Sequence, residues 1–109
     1  MKPATAWVIL LASGLFETVW AVGLKYTDGF TRLWPSVGVL AAMAVSVYGL
    51  SVAVRAIPVG TAYAVWAGVG AVGAVLVGLF VLGEPRSAGR LFCVTLIVLG
   101  IVGLRLVGE

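Results

Sequence analysis

The sequence of 109 residues is poor in charge and in the residues that build metal centres and disulfides. Only 10% of its residues are charged, histidine is absent, and Cys93 is the single cysteine. One cysteine excludes an intrachain disulfide, and inside an apolar run it is expected to be a small buried side chain. Carboxylates and cysteine never occur together at the spacing of metal ligands. We therefore predict neither a metal site nor a cofactor.

Basic residues are also too scattered to form a surface that binds nucleic acid. Seven Lys and Arg residues against four Asp and Glu give a net charge of +3, with no basic cluster. Hydrophobic residues, in contrast, make up 62% of the chain. A soluble domain of this size has no core large enough to bury them. The composition predicts an all-α integral membrane protein that is surrounded by the lipid bilayer.

Four apolar segments each come close to or exceed the roughly 20 residues that span a bilayer. We predict transmembrane helices over residues 5–24, 33–54, 58–82 and 88–107, within a single membrane domain of residues 1–109. Pro35 and Pro58 fall in the first turns of their helices, where a missing N–H is tolerated, and Ser87 is a candidate cap for the last helix. The connections are short, so consecutive helices are expected to be antiparallel.

Glu17 is a carboxylate deep inside the first predicted helix. No other ionisable residue lies between Ala4 and Leu24, and a charge at the bilayer centre costs about 2.5–3.5 kcal/mol. The residues three and four positions away share its helix face. They are Ser13, Gly14, Trp20 and Ala21. Small neighbours leave room for a cation, and the indole can donate a hydrogen bond to the carboxylate or present its ring to a cation.

The second and third segments contain further candidates for the lining of this site. Tyr63 and Trp66 lie three residues apart, and Ser46 is near the middle of the second segment. Three closely spaced glycines follow in the third segment. They are Gly68, Gly70 and Gly73. Such a patch can serve as a hinge or as a close-packing surface, and the sequence leaves both interpretations open.

The loop charges show almost no bias between the two sides of the membrane. The first and third loops carry four basic residues: Lys25, Arg32, Arg86 and Arg90. The opposite side carries three: Lys2, Arg55 and Arg105. The positive-inside rule needs a bias to fix orientation, so we predict insertion in both orientations and an antiparallel homodimer. Gly100 and Gly103 are the candidate dimer contact, although glycines are frequent in membrane helices generally.

A carboxyl group at this depth can couple two ions by competition. It can hold a proton while the site is empty, and an arriving cation favours the ionised form and displaces that proton. If the protein changes sides mainly when it is loaded, protons flow in as the cation flows out. The Glu17 site is therefore predicted to support proton-coupled cation export. One carboxylate without a nucleophile or a second acid is insufficient machinery for an enzyme.

Several motifs make a family resemblance specific. They are Glu17 itself, Lys25 with GFTR at residues 29–32, WPS at 34–36, PVGTAYAVW at 58–66 and GVG at 68–70. Essentially from end to end, the chain resembles the small multidrug resistance family of four-helix, proton-coupled exporters. GLFETVWA at residues 14–21 is similar to the guanidinium-exporter subtype, as are Met43 and the GEP of the third loop. Thr18 departs mildly from that pattern, and we expect it to face away from the neighbours of Glu17.

The resemblance implies an antiparallel, dual-topology homodimer in the bacterial inner (plasma) membrane that exchanges protons for guanidinium. Glu17 would bind proton or substrate in turn. Trp20 and Ser46 would hydrogen-bond to its carboxylate, and Tyr63 and Trp66 would line the cavity. Two alternatives stay open: a multidrug exporter of quaternary ammonium cations with the same fold, and a non-transporting membrane partner subunit. Trp20 argues against the first, and the balanced loop charges argue against the second.

Overall fold

The computed structural model describes residues 1–107 and is all-helical in its regular structure. The four helices are α1 (Pro3–Gly23), α2 (Leu33–Ala53), α3 (Val59–Phe80) and α4 (Ala88–Val107), and a short 3-10 turn, Leu24–Tyr26, extends α1. Each helix is long and apolar enough to cross a membrane. The predicted all-α class with four helices long and apolar enough to span a membrane is confirmed. The helix ends lie within two residues of the expected ones.

Proline and glycine mark several ends of α1 and α3. Pro3 occupies the first turn of α1, and Pro58 is the residue immediately before α3. At the other end of α3, Gly83 has φ +72°, a backbone conformation that glycine adopts without strain. The N–H of Glu84 then donates to the carbonyl of Gly78 at 2.9 Å. Helix α3 is closed by this turn, two residues earlier than the hydrophobic run suggested.

Helix α1 is at the centre of the fold. It packs closely on both α2 and α3, which barely touch each other, and α4 packs chiefly on α3. The molecule measures 41 × 35 × 17 Å. The helix contacts run in the order α2, α1, α3, α4, and α2 barely touches α3, so the four helices form little more than one layer. A single copy thus leaves the broad faces of this layer without protein cover.

The buried core lies where α1 meets α2 and α3. It combines large and small side chains from α1 and α3 with one alanine of α2 and an isoleucine of the α2–α3 connection. Its members are Ala6, Trp7, Leu10, Ala53, Ile57, Ala62, Val65 and Trp66. Helix α4 contributes no buried residue within the described part of the chain. Cys93 lies on this helix and is exposed, so the expectation of a buried cysteine was wrong, because α4 has neighbours on one side only.

The first and third of the three connections between helices are held by specific hydrogen bonds and an ion pair. In the turn between α1 and α2, buried Thr27 donates to the carbonyl of Leu24 at 2.9 Å and accepts from the N–H of Phe30 at 3.3 Å. Between α3 and α4, Arg90 pairs with Glu84 at 3.2 Å. Ser87 caps α4, as expected, by accepting the N–H of Arg90 at 3.1 Å. The short connections therefore fix how neighbouring helices approach each other.

Candidate functional site

Glu17 lies on α1 where this helix faces the glycine-rich stretch of α3. Its carboxylate packs directly on Gly70, where a Cβ atom would overlap it. The side chain is half-buried. Within residues 1–107 no hydrogen bond or ion pair to this carboxylate is formed. The group is thus held by packing, and its oxygens remain available for a ligand.

A small residue one turn earlier brings the two helices close at this level. A Cβ atom on Gly14 would approach Val69 Cβ to 2.7 Å and the Trp66 carbonyl oxygen to 3.4 Å. Close approach through small residues is the usual way in which helices pack in lipid. Gly14 therefore sets the α1–α3 spacing beside Glu17, and it lies next to the site as predicted from its position on the helix face.

Ser46 and Trp66 form a hydrogen-bonded chain that joins three helices. The Trp66 Nε1–H donates to Ser46 Oγ at 3.0 Å, and Ser46 Oγ donates to the carbonyl oxygen of Ser13 at 2.7 Å. Ser13 in turn donates to carbonyl oxygens of its own helix, at Ile9 and Leu10. Because the one hydroxyl proton of Ser46 goes to Ser13, its partner in this structure differs from the expected Glu17 carboxylate.

The two other aromatic candidates, Trp20 and Tyr63, form no hydrogen bond to Glu17 within residues 1–107. Trp20 has its Nε1–H buried without a hydrogen-bond acceptor among the described residues, so the expected bond to Glu17 is not formed here. Tyr63 is largely exposed and its ring lies 5.8 Å from that of Trp66, tilted by 36°. Trp66 is held by its hydrogen bond to Ser46, whereas Tyr63 lies on the exposed surface of the single copy.

The three glycines of α3 each receive a side chain from a neighbouring helix. Gly68 lies against Ile101 of α4, Gly70 against Glu17, and Gly73 against Thr18. Helix α3 runs unbroken through all three positions. Each glycine therefore has the contact that close packing requires. A hinge at these glycines stays a prediction.

Gly100 and Gly103 of α4 lie on an open surface. Nothing comes within 4 Å of a Cβ atom placed on either residue. Both line a shallow groove between α3 and α4 whose walls are almost wholly apolar. This geometry leaves room for another helix, and a dimer contact at these glycines stays a prediction.

Thr18 contacts α3 beside Glu17, and the sequence did not predict this contact. Its hydroxyl donates to the Gly70 carbonyl oxygen at 3.1 Å, so it faces α3 at the level of Glu17. The expectation that Thr18 faces away was wrong, because residues 17 and 18 lie on either side of the line of contact with α3. The spacing of Gly14 and Thr18, two small residues four apart, is a signal that predicts such a contact.

The chemistry available to this arrangement is that of one accessible carboxylate among small and aromatic side chains. No group of three or more His, Cys, Asp or Glu side chains within residues 1–107 is arranged to hold a metal ion. A lone carboxylate in such surroundings can bind a proton or an organic cation, and the aromatic rings can contact a cation by their faces. The geometry is compatible with ion binding among helices that are long and apolar enough to cross a membrane.

Comparison with known proteins agrees with this description. The family described as Small Multidrug Resistance protein matches residues 5–97 of the chain. The guanidinium exporters of Citrobacter freundii and Salmonella typhimurium are each 59% identical to it over 101 residues, which cover 93% of this chain and 96% of each relative. The guanidinium exporter of Escherichia coli strain K12 is 57% identical with the same coverage. The resemblance found from the motifs is confirmed: this chain belongs to the small multidrug resistance family.

Proposed function

We propose that this protein is a proton-coupled antiporter that exports guanidinium ion, with Glu17 as the group that proton and substrate occupy in turn. The observation that carries the proposal is the carboxylate of Glu17. It lies in helix α1 on the backbone of Gly70, and it has no bonded partner among residues 1–107. The relatives named as guanidinium exporters, which match the chain over nearly its whole length, support this choice of substrate.

Guanidinium suits a carboxylate of this kind. The ion is planar and permanently charged, and its N–H groups pair with the two oxygens of a carboxylate in parallel. Ionisation of Glu17 is favoured by the bound cation and opposed by the surrounding lipid and protein. Binding of guanidinium therefore releases a proton, and binding of a proton releases guanidinium. Exchange follows if the protein changes sides chiefly in a loaded state.

A second copy of the chain completes the site. The four helices of one copy form little more than a single layer, 17 Å thick, which does not enclose an ion at Glu17. Two copies place two such layers face to face and bring two Glu17 carboxylates toward a shared cavity. The almost equal number of basic residues on the two sides favours an antiparallel pair in the bacterial inner membrane. The open glycine face of α4 supports a contact there.

Reporter fusions test the antiparallel arrangement. Two reporters are fused to the C-terminus in turn, each active on only one side of the membrane. We expect equal numbers of molecules in the two orientations, so both fusions should give a signal. A signal confined to one side contradicts dual topology. That outcome would leave proton-coupled export by a parallel pair to be tested by the transport experiment.

Transport in proteoliposomes tests the function itself. An outward guanidinium gradient is expected to acidify the interior of vesicles that contain the wild-type protein. Glu17→Gln keeps the shape of the side chain but removes the ionisable group, and it should reduce acidification to the level of empty vesicles. Glu84→Gln is the matched control, because Glu84 is exposed in the α3–α4 turn and pairs with Arg90, and it should transport like the wild type.

The same vesicles distinguish the other functions. Acidification by bulky quaternary ammonium cations, without a response to guanidinium, would place the chain with the multidrug exporters. Silence toward both kinds of cation from a well-folded protein would favour a partner subunit. Guanidinium flux that persists in Glu17→Gln would contradict the assignment of the carboxylate.

A further inference from the structure

One hydrogen bond joins α1 to α3 within the described part of the chain, and it comes from the residue next to Glu17. Thr18 Oγ1 donates to the Gly70 carbonyl oxygen at 3.1 Å. The Thr18 side chain fits against Gly73, where a Cβ atom would overlap the hydroxyl. The threonine is therefore seated by shape and by a directed bond on the same helix that supports the carboxylate.

Gly70 receives two consecutive residues of α1. Its Cα supports the carboxylate of Glu17, and its carbonyl oxygen accepts the hydroxyl of Thr18. Consecutive residues point about 100° apart around a helix. Both can reach Gly70 only when the line of contact between α1 and α3 passes between them. The Thr18 bond therefore fixes the rotation of α1 about its own axis, and with it the direction of the Glu17 side chain.

No other bond within residues 1–107 fixes that direction. The Glu17 carboxylate makes no hydrogen bond of its own, and the chain of bonds through Ser46 joins α1 one turn earlier, at the carbonyl of Ser13. Van der Waals contact with a glycine supports the carboxylate but does not orient it. Without the threonine hydroxyl, only packing contacts such as that of Gly14 on Val69 hold α1 at this rotation relative to α3.

We propose that Thr18 is a positioning residue for the substrate: its bond to Gly70 holds the Glu17 carboxylate in the orientation that binds guanidinium. This inference rests on the proposed function, because it concerns how the same site binds its ion. Thr18 touches neither proton nor substrate. It acts through the packing of α1 on α3, and its loss is expected to weaken binding of guanidinium without reducing the rate of a saturated transporter.

Thr18→Val tests the proposal, because valine keeps the shape of threonine and removes the hydroxyl. The KM for guanidinium in proteoliposomes is expected to rise about threefold, the factor that corresponds to a typical hydrogen bond between membrane helices. The maximal rate per folded dimer should change less than this. Thr18→Ser retains the hydroxyl and should restore the KM. Should the valine variant not fold, Thr18→Ala serves as a second variant without the hydroxyl.

Thr95→Val is the matched control. Thr95 is exposed on α4, and its hydroxyl donates to the Leu91 carbonyl oxygen of its own helix at 2.8 Å. Its KM should equal that of the wild type. A raised KM in both hydroxyl-free variants at position 18, with rescue by serine, supports the proposal. An unchanged KM, or a lower maximal rate alone, overturns the proposal for Thr18. The proposed function is unaffected by that outcome as long as the wild type transports guanidinium. Absence of guanidinium transport by the wild type would overturn both.

Discussion

Helices α1 and α4 are alike in length and apolar composition but differ in how they pack. Helix α1 is joined by hydrogen bonds to α2 and α3 and contributes buried residues along half its length. Helix α4 contributes none. Apolar side chains do not distinguish lipid from protein, so association depends on small residues and on hydrogen bonds between helices. The comparison separates a three-helix unit that carries the site from an outer helix whose glycine face is free to contact a second copy.

Filling the glycine face of α4 is expected to have the largest effect. Leucine at both Gly100 and Gly103 would occupy the open surface and block the approach of another helix. We expect the dimer to dissociate and guanidinium transport to fall more than tenfold, because one layer of helices does not enclose the site. Counting subunits by single-molecule photobleaching in lipid measures the association.

Val98→Leu provides the comparison for that double variant. It adds bulk to α4 at an exposed position on a different side of the helix from both glycines. Its dimer and its transport should be normal. If the variant with leucine at Gly100 and Gly103 remains dimeric and active, the dimer contact lies elsewhere. Helix α4 would then differ less from the three-helix unit of α1, α2 and α3 than proposed.

A smaller but substantial effect is expected from Gly70→Ala, inside the three-helix unit. The added Cβ atom overlaps the carboxylate of Glu17, so either the side chain or α1 must move. Overpacking of this kind costs about 1–3 kcal/mol of folding stability. We expect about 1 kcal/mol of it to fall on the binding site, which corresponds to roughly fivefold in affinity. Titration calorimetry with guanidinium measures the loss.

Gly38→Ala is the control for Gly70→Ala. Gly38 is also a helical glycine, in α2, and nothing lies within 4 Å of its added Cβ atom. Its affinity for guanidinium should match that of the wild type. Equal affinities for the two alanine variants would mean that the contact between Glu17 and α3 does not matter for binding.

The smallest effect is expected from Ser46→Ala, which breaks the bond chain between α1, α2 and α3. The variant leaves the buried Trp66 N–H without its acceptor, a change that costs about 1–3 kcal/mol. The unfolding midpoint in detergent should fall accordingly. Ser51→Ala is the control, because Ser51 is exposed and bonds to the Tyr48 carbonyl of its own helix. Identical unfolding midpoints for the two variants would mean that the bond chain does not contribute to stability.

The sequence alone predicts the number and approximate bounds of the helices and the position of the membrane carboxylate. Hydrophobic runs, prolines and loop residues act on their own segment of the chain, so their effects can be predicted from the sequence. The contact of Glu17 with Gly70 joins residues 53 positions apart. It depends on the rotation of two helices about their axes, which the nearly uniform apolar composition of each helix does not specify.

Ser46 and Thr18 show the same limit. Ser46 was expected to bond to the Glu17 carboxylate, and Thr18 was expected to face away from the neighbours of Glu17. The structure gives each of them a backbone carbonyl, at Ser13 and Gly70. In the membrane interior any carbonyl within reach competes with a carboxylate for a hydroxyl proton, and proximity decides between them. The spacing of small residues on α1 and α3 was the signal that could have indicated the second contact.

Proton release on binding tests most directly the claim that proton and guanidinium share Glu17. Guanidinium is added to the purified protein in weakly buffered solution, and the released protons are measured with an indicator dye at several pH values. The wild type should release protons on binding, and its apparent affinity should fall as the pH is lowered, because protons compete for the same group. Glu17→Gln should neither bind nor release. Guanidinium binding without proton release, or with an affinity that does not depend on pH, would contradict the account.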